Sequence, residues 1–199
     1  MCRLLLLLSG DIELNPGPTI GSAQWNAREL LSKQAWLEKH LMDGQVASGF
    51  VVETSFTPDR CLSFHVDGYN RCGYATPSGA GGVSIFVQGG IPYQLGEAKL
   101  HEELQVVTLD ILLGRGRLCV VAAYFPKSRL ISDHSLAALS RCLPSGYPVV
   151  LGMDANAHHP EWEATYRGDA GPGNYLAAWR AEGHLLLANN GDSDLATIA

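Results

Sequence analysis

Five side chains able to bind a cation, move a proton or donate to an oxyanion stand at or just after the ends of segments that read as β-strands: Asn26, Glu53, Tyr124, Asp154 and Asn156. Carboxylate and amide oxygens can hold a hard cation, a carboxylate can take a proton from water, and a phenol can donate to developing negative charge. Singly, each has a plainer reading. Asn26 can cap a helix, Glu53-Thr54 can be a strand end reaching solvent, and Tyr124 ahead of Phe125-Pro126 can be a core aromatic before a turn. Asp154 and Asn156 can form an Asx-turn. Strand ends on one edge of a sheet sandwich can converge on a single cleft, which makes their shared position the main functional clue.

The elements that must carry them are legible from apolar patterning. Ile20–Trp25 reads as a strand ending at Asn26, and Ala27–Met42 as a helix with Leu30, Leu37 and Leu41 on one face. Gly49–Thr54 reads as a buried strand built on Phe50-Val51-Val52, and the glycine-rich Gly79–Gly82 leads into a strand over Val83–Val87. Leu104–Leu113 and Leu118–Phe125 are strongly apolar and joined by Gly114-Arg115-Gly116-Arg117, a hairpin turn. Ser132 suits the N-cap of a helix running to Cys142. Tyr147–Gly152 is a buried strand that runs straight into Met153-Asp154-Ala155-Asn156; Asn174–Glu182 reads as a helix and Leu185–Ala188 as a last strand before a polar tail. Adjacent strands with hairpin links and a few helices predict an α/β sandwich with mixed or antiparallel sheets.

Composition narrows the class. With 199 residues, 46% hydrophobic and 17% charged, the chain fits one globular domain and excludes disorder, while its 22 glycines follow no fixed period and exclude a collagen-like fibre. The apolar run Leu4–Leu8 is far short of the about 20 residues of a membrane span, and no small-x-small cleavage site follows it, which argues against secretion. Five scattered cysteines without a C-x-x-C pair suit a reducing compartment and argue against a zinc cage. A net charge of −6 argues mildly against a nucleic-acid binder, whose usual footprint is a basic patch.

Residues 11–18 carry Asp11, Glu13, Asn15, Pro16, Gly17 and Pro18 in the pattern D-x-E-x-N-P-G-P. This resembles the ribosome-skipping (2A-like) peptide of picornaviruses and some retrotransposons. Pro18 is a hindered attacker of the ester holding Gly17 to its tRNA, Pro16 restricts Asn15, and Gly17 adopts backbone angles closed to other residues. The resemblance implies that the Gly17–Pro18 bond is not made. It places a skipping peptide at 1–18, outside the fold with its leucines as a helical plug, and a domain at 19–199.

Downstream stand Asn26-Ala27-Arg28, Glu53-Thr54, Gly68-Tyr69 with Arg71, Gly81-Gly82-Val83-Ser84-Ile85-Phe86-Val87, Tyr124-Phe125-Pro126, and Gly152-Met153-Asp154-Ala155-Asn156-Ala157-His158-His159-Pro160-Glu161-Trp162. In this order they resemble the endonuclease/exonuclease/phosphatase superfamily, and within it the apurinic-site-type endonuclease domain of ingi-type non-LTR retrotransposons. The resemblance implies a four-layer α/β/β/α sandwich of two mixed sheets, DNase I-like, and a Mg²⁺-dependent DNA endonuclease in which Mn²⁺ can substitute. It assigns Glu53 and Asn26 to the metal, Asp154, Asn156 and Tyr124 to catalysis, and Arg28, His158 and Thr197 to substrate. A zinc site at His158-His159 is not expected, because adjacent loop residues rarely ligate one ion. DNA and the reverse transcriptase region of a full element are the implied partners, with no membrane and a nuclear role.

The family also carries, near its C-terminus, a Ser-Asp-His block whose His stabilises the phosphorane. No such block follows Asp154. Ser132-Asp133-His134 matches it letter for letter but precedes Asp154 and reads as a helix N-terminus. The expectation is a sandwich lacking its last strands, with activity lowered by truncation. Its alternatives are an inactive remnant, or a phosphatase or phosphodiesterase of the same fold acting on a small molecule or lipid. Arg28, Arg71, Arg115, Arg117, Lys127, Arg129 and Arg167 are candidates for a basic rim.

Overall fold

The computed structural model describes residues 4–8, 20–101, 104–114, 116–127, 131–163, 165–183, 185–187 and 195–198, with 4–8, 20 and 195–198 described by their backbone. In chain order the elements are β1 (Leu4–Leu8), β2 (Ile20–Asn26), α1 (Gln34–Asp43), β3 (Ser48–Val52), α2 (Pro58–Ser63), β4 (Tyr69–Tyr74), β5 (Val83–Gln88) and β6 (Tyr93–His101). They continue with β7 (Leu104–Leu113), β8 (Gly116–Tyr124), α3 (Asp133–Cys142), β9 (Val149–Asp154), α4 (Gly171–Glu182), β10 (Leu185–Leu187) and β11 (Leu195–Ile198).

The strands form a six-stranded sheet, β10-β1-β9-β8-β7-β6, and a five-stranded sheet, β11-β2-β3-β5-β4. Each sheet contains one parallel pair, β8 with β9 and β2 with β3. Alternation along a strand sends successive side chains to opposite faces. Val150 of β9 joins the inter-sheet core with Phe50, Val52, Ile85, Val107, Leu109 and Val120. Val149, Leu151 and Met153 instead face Leu136 and Leu139 of α3 and Leu176 of α4. On the other outer face Leu37 and Leu41 of α1 and Cys61 of α2 pack against Val51 and Phe86. The result is the expected α/β/β/α order of four layers. The sheets approach closely where β9 crosses β3: a Cβ on Gly152 would lie 2.6 Å from Cγ of Phe50.

Several boundaries differ from expectation. The helix expected from Ala27 begins only at Gln34, after a 3-10 turn at Leu31–Lys33. The Ala27, Glu29 and Leu30 amides bond to the carbonyls of Val52, Glu53 and Thr54 at the end of β3 and just after it, and Arg28 and Glu29 have φ of 50° and 99°. Tertiary bonds thus take the amides that a helix leaves unpaired in its first turn. Leu4–Leu8 is a strand within the larger sheet, paired from Leu4↔Met153 to Leu8↔Val149 on one side and from Leu6↔Leu187 to Leu8↔Leu185 on the other. An unbroken leucine run carries no period that separates helix from buried strand, and the sheet supplies the missing decision. Gly17 and Pro18 lie outside the described residues. Ser132 caps α3 in a reciprocal capping box with Ser135, so Asp133 opens a helix as expected.

Candidate active site

The two parallel pairs bring four strand ends to one edge of the sandwich. Asn26 ends β2, Glu53 follows β3, Tyr124 ends β8 and Asp154 ends β9. Tyr124 and Asp154 are register partners, so neighbouring strands deliver them side by side. Across the sheets, Nδ2 of Asn26 donates to Oδ2 of Asp154 at 2.5 Å, and the Tyr124 hydroxyl donates to Oε1 of Glu53 at 3.0 Å. The Asn156 amide donates to Oδ1 of Asp154 at 2.9 Å, which is the Asx-turn, while its side-chain Nδ2 donates to the Phe125 carbonyl at 2.7 Å. The Arg28 amide donates to Oδ1 of Asn26 at 3.1 Å, orienting the side-chain amide. The five residues of the expected centre therefore form two hydrogen-bonded groups at one edge of the sandwich, Asn26–Asp154–Asn156 and Tyr124–Glu53.

Loop backbones are held in uncommon conformations around it. Arg28, Glu29, Glu53, Ser55 and Asn156 have positive φ, between 47° and 99°, and all lie in the loops after β2, β3 and β9. Left-handed backbone at non-glycine residues costs energy and persists only where surroundings over-determine it. Here the Thr54 and Ser55 amides bond to the carbonyls of Gly82 and Gly81, and the Phe125 amide to the Asp154 carbonyl.

Asp154 is 1% exposed. Burial raises its carboxyl above the ordinary aspartate range; the Asn156 and Asn26 donors pull it back, Glu53 adds like charge and Lys127 opposes it. Burial, then the Glu53 carboxylate, raises the Tyr124 phenol, so the ring stays protonated and can donate. Glu53 and Asp154 thus sense each other across a pocket of oxygen donors. That donor set suits a hard divalent cation, which would relieve the repulsion. Glu53, with the second lone pair of Asn26 Oδ1, could hold it.

The remaining expected residues fare differently. His158 spends Nδ1 on Oε2 of Glu163 at 2.6 Å and stacks on Tyr166 with ring centroids 4.9 Å apart, so it shapes its own loop instead of reaching the cluster. Thr197 pairs with Gly21, at the end of β2 away from Asn26, and the backbone does not bring it to the site. Strand register, which the polar tail does not encode, decides that position. Arg28 serves through its backbone. Among the rim candidates, Arg71 is bound to Phe64, Cys61 and Ser84, and Arg117 lies at the far end of β8 over Tyr147. Lys127 is exposed and acts on Asp154. Arg115 and Arg129 lie outside the described residues.

Two supports gain their roles only from the fold: Gln105, which the sequence did not single out, and Gly81 of the glycine-rich loop. Gln105, buried opposite Tyr124 in β7, accepts from the Gly82 amide at 2.6 Å. A Cβ on Gly81 would come within 2.9 Å of Tyr124 Cε1, so only glycine lets this loop close on the phenol. A polar residue at the head of an apolar strand, and the paired glycines, were the available signals.

Residues 118–199 match the protein-family profile described as Endonuclease-reverse transcriptase. No curated protein matches the chain. Among solved structures, the chain is similar to the endonuclease domain of TRAS1, a telomere-specific non-LTR retrotransposon, at 20% identity and a TM-score of 0.67, covering 87% of this chain and 75% of that one. It is also similar to the AP endonuclease LMAP from Leishmania major, at 14% identity and a TM-score of 0.63, covering 88% and 70%. A third neighbour is D. rerio TDP2 complexed with a single-strand DNA product, at 13% identity and a TM-score of 0.54, covering 74% and 65%.

Proposed function

Proceeding from an endonuclease/phosphatase-type hydrolase fold, we propose that the chain is a Mg²⁺-dependent DNA endonuclease of a non-LTR retrotransposon, nicking a strand to leave the primer for reverse transcription. The observation that carries this reading is the closure of the Asn26–Asp154–Asn156 network onto the Tyr124–Glu53 pair at one edge of the sandwich. Glu53, with Asn26 in the shell, would hold Mg²⁺, which when bound would neutralise phosphoryl charge. Asp154 takes the proton of the attacking water at a carboxylate oxygen, and burial raises its affinity for that proton. Asn26 and the Asn156 amide hold that carboxylate in place. Tyr124, kept protonated, donates to a phosphate oxygen. Exposed Lys127 offers a phosphate contact at the rim, so DNA binding weakens as salt rises.

The profile match and the TRAS1 likeness support a reverse transcriptase region as the partner in a full element, and with it a nuclear role. The D-x-E-x-N-P-G-P string supports a product beginning at Pro18, and N-terminal sequencing returning Met1 on most molecules would refute skipping. No Ser-Asp-His block follows Asp154 among these 199 residues.

The test is nicking of supercoiled plasmid with Mg²⁺ by the chain, Glu53→Ala and Asp154→Ala. Nicking by the parent alone supports the assignment, and equal nicking by all three rejects it. Faster turnover of an inositol phosphate than of DNA would transfer the same site to a phosphatase. A chain that hydrolyses neither substrate would mark a remnant.

A further inference from the structure

A second group of ligand-type side chains lies on the helix-facing side of the six-stranded sheet and shares no residue with the cleft. Glu97, His101 and Cys142 bring one donor atom each to within 4.8 Å of one another. The fold builds this convergence from two devices. The first is an irregularity in β6, where the register with β7 shifts between Leu95 and Ala98. A Cβ on Gly96 would lie 2.4 Å from Oγ1 of Thr108, and that oxygen accepts the Glu97 amide at 2.8 Å, which fixes the bulge and the departure of Glu97. The second is the end of α3, whose last residue is Cys142.

Oε2 of Glu97 lies 3.0 Å from Nε2 of His101 and 3.7 Å from Sγ of Cys142. Tetrahedral zinc with ordinary bond lengths places its donors about 3.3–3.7 Å apart. The carboxylate–thiol distance already falls in that range and the carboxylate–imidazole distance needs to open by only a few tenths of an ångström, while imidazole and thiol lie within 4.8 Å of each other. Lys99 engages the other oxygen, Oε1, at 2.7 Å, which anchors the carboxylate and leaves Oε2 turned towards the imidazole and thiol. The Cys142 thiol meanwhile donates to the Ala138 carbonyl at 3.4 Å. The Glu97 carboxylate lies against the thiol, with the charges of Lys99 and Arg141 also acting on it. The group faces a negative neighbour that a cation would offset.

We propose that Glu97, His101 and Cys142 form a three-ligand site for a borderline divalent transition metal of the zinc class, completed by water and tying the edge strand β6 to the end of α3. Mixed sulfur, nitrogen and oxygen donors select such an ion over Mg²⁺, which takes oxygen. Binding forms the metal–sulfur bond and breaks the S–H bond of Cys142, whose proton leaves to solvent, so metal uptake releases the thiol proton.

Cobalt(II) titrated into the full chain, in buffer free of thiols, is the test. The expected result is a near-ultraviolet thiolate-to-cobalt band saturating at one metal per chain, displaced by zinc, with release of the thiol proton. Cys142→Ser removes the band, Cys2→Ser keeps it, and zinc raises the melting temperature of the parent but not of Cys142→Ser. His101→Asn, at a partly exposed position, carries the test if the cysteine variant misfolds; it weakens cobalt binding at least about tenfold. Absence of the band, its persistence in Cys142→Ser, or unchanged affinity in His101→Asn overturns the site.

Discussion

On the proposed function, removing the Asn26 side chain separates two roles assigned to that residue. In Asn26→Ala, Oδ2 of Asp154 loses a donor at 2.5 Å, inside a site where the aspartate is 1% exposed. A hydrogen bond to a charged group contributes about 1.5–3 kcal/mol, all of it to the ionised form. Since 1.36 kcal/mol corresponds to one pKa unit, the acid limb of the nicking profile should move up by about one to two pH units. The direction is fixed, because the Asn26 donor lowers the Asp154 pKa and burial raises it. The assay is kcat/KM for plasmid nicking against pH at saturating Mg²⁺, which reports groups of the free enzyme. A lower plateau is expected as well, from loss of the amide oxygen near the metal, but the limb position is independent of plateau height. A second readout follows from linkage. Asp154 titrates higher folded than unfolded, so its contribution to the stability of the metal-free chain is fully present below its unfolded pKa. That contribution is lost as pH rises through its folded pKa, and Asn26→Ala deepens the loss. A lowered plateau with an unmoved acid limb would refute the assignment of Asn26 as the donor that tunes Asp154.

Tyr124→Phe deletes the hydroxyl that donates to Glu53; kcat should fall about 10²–10³-fold with KM nearly unchanged, and a pure KM effect would make the phenol a binding group only. Gly152→Ala drives a Cβ into Phe50 at 2.6 Å. Overpacking there should cost about 1–3 kcal/mol in denaturant melts, with partial recovery in the double variant Gly152→Ala/Phe50→Leu and none if the clash is not the cause. Expressing residues 18–199 takes away the strand between β9 and β10. The expected outcome is a lower melting temperature and a tendency to associate through the opened edges, reversed by adding a peptide carrying Leu4–Leu8; identical melting with and without residues 1–17 would show that the sheet does not need it.

Most of the site was legible because its residues sit where apolar runs stop. Phe50-Val51-Val52 halting at Glu53 and the Val149–Gly152 run halting before Asp154 mark strand ends, and a strand end is a local property of the chain. The N-cap of α3 was readable for the same reason, since Ser132 and Ser135 satisfy each other within one turn. The start of α1 was not, because the amides of Ala27, Glu29 and Leu30 are claimed by carbonyls some twenty-five residues away in sequence. Strand β6, with its bulge and exposed face, has no clean alternation to read.

What the amino-acid order alone determined is which residues are chemically equipped and which segments are extended: Asn26, Glu53, Tyr124, Asp154 and Asn156 follow from side-chain type and the interruption of apolar runs. Which strands lie side by side, and in what register, was decided only by the folded sheets. Pairing puts Asp154 beside Tyr124 and under the amide of Asn26, sets Thr197 opposite Gly21, and draws Leu4–Leu8 between β9 and β10. Backbone hydrogen bonds are the same for every residue type, so partner and register are chosen by which faces must be buried together, and that choice exists only once both sheets are present.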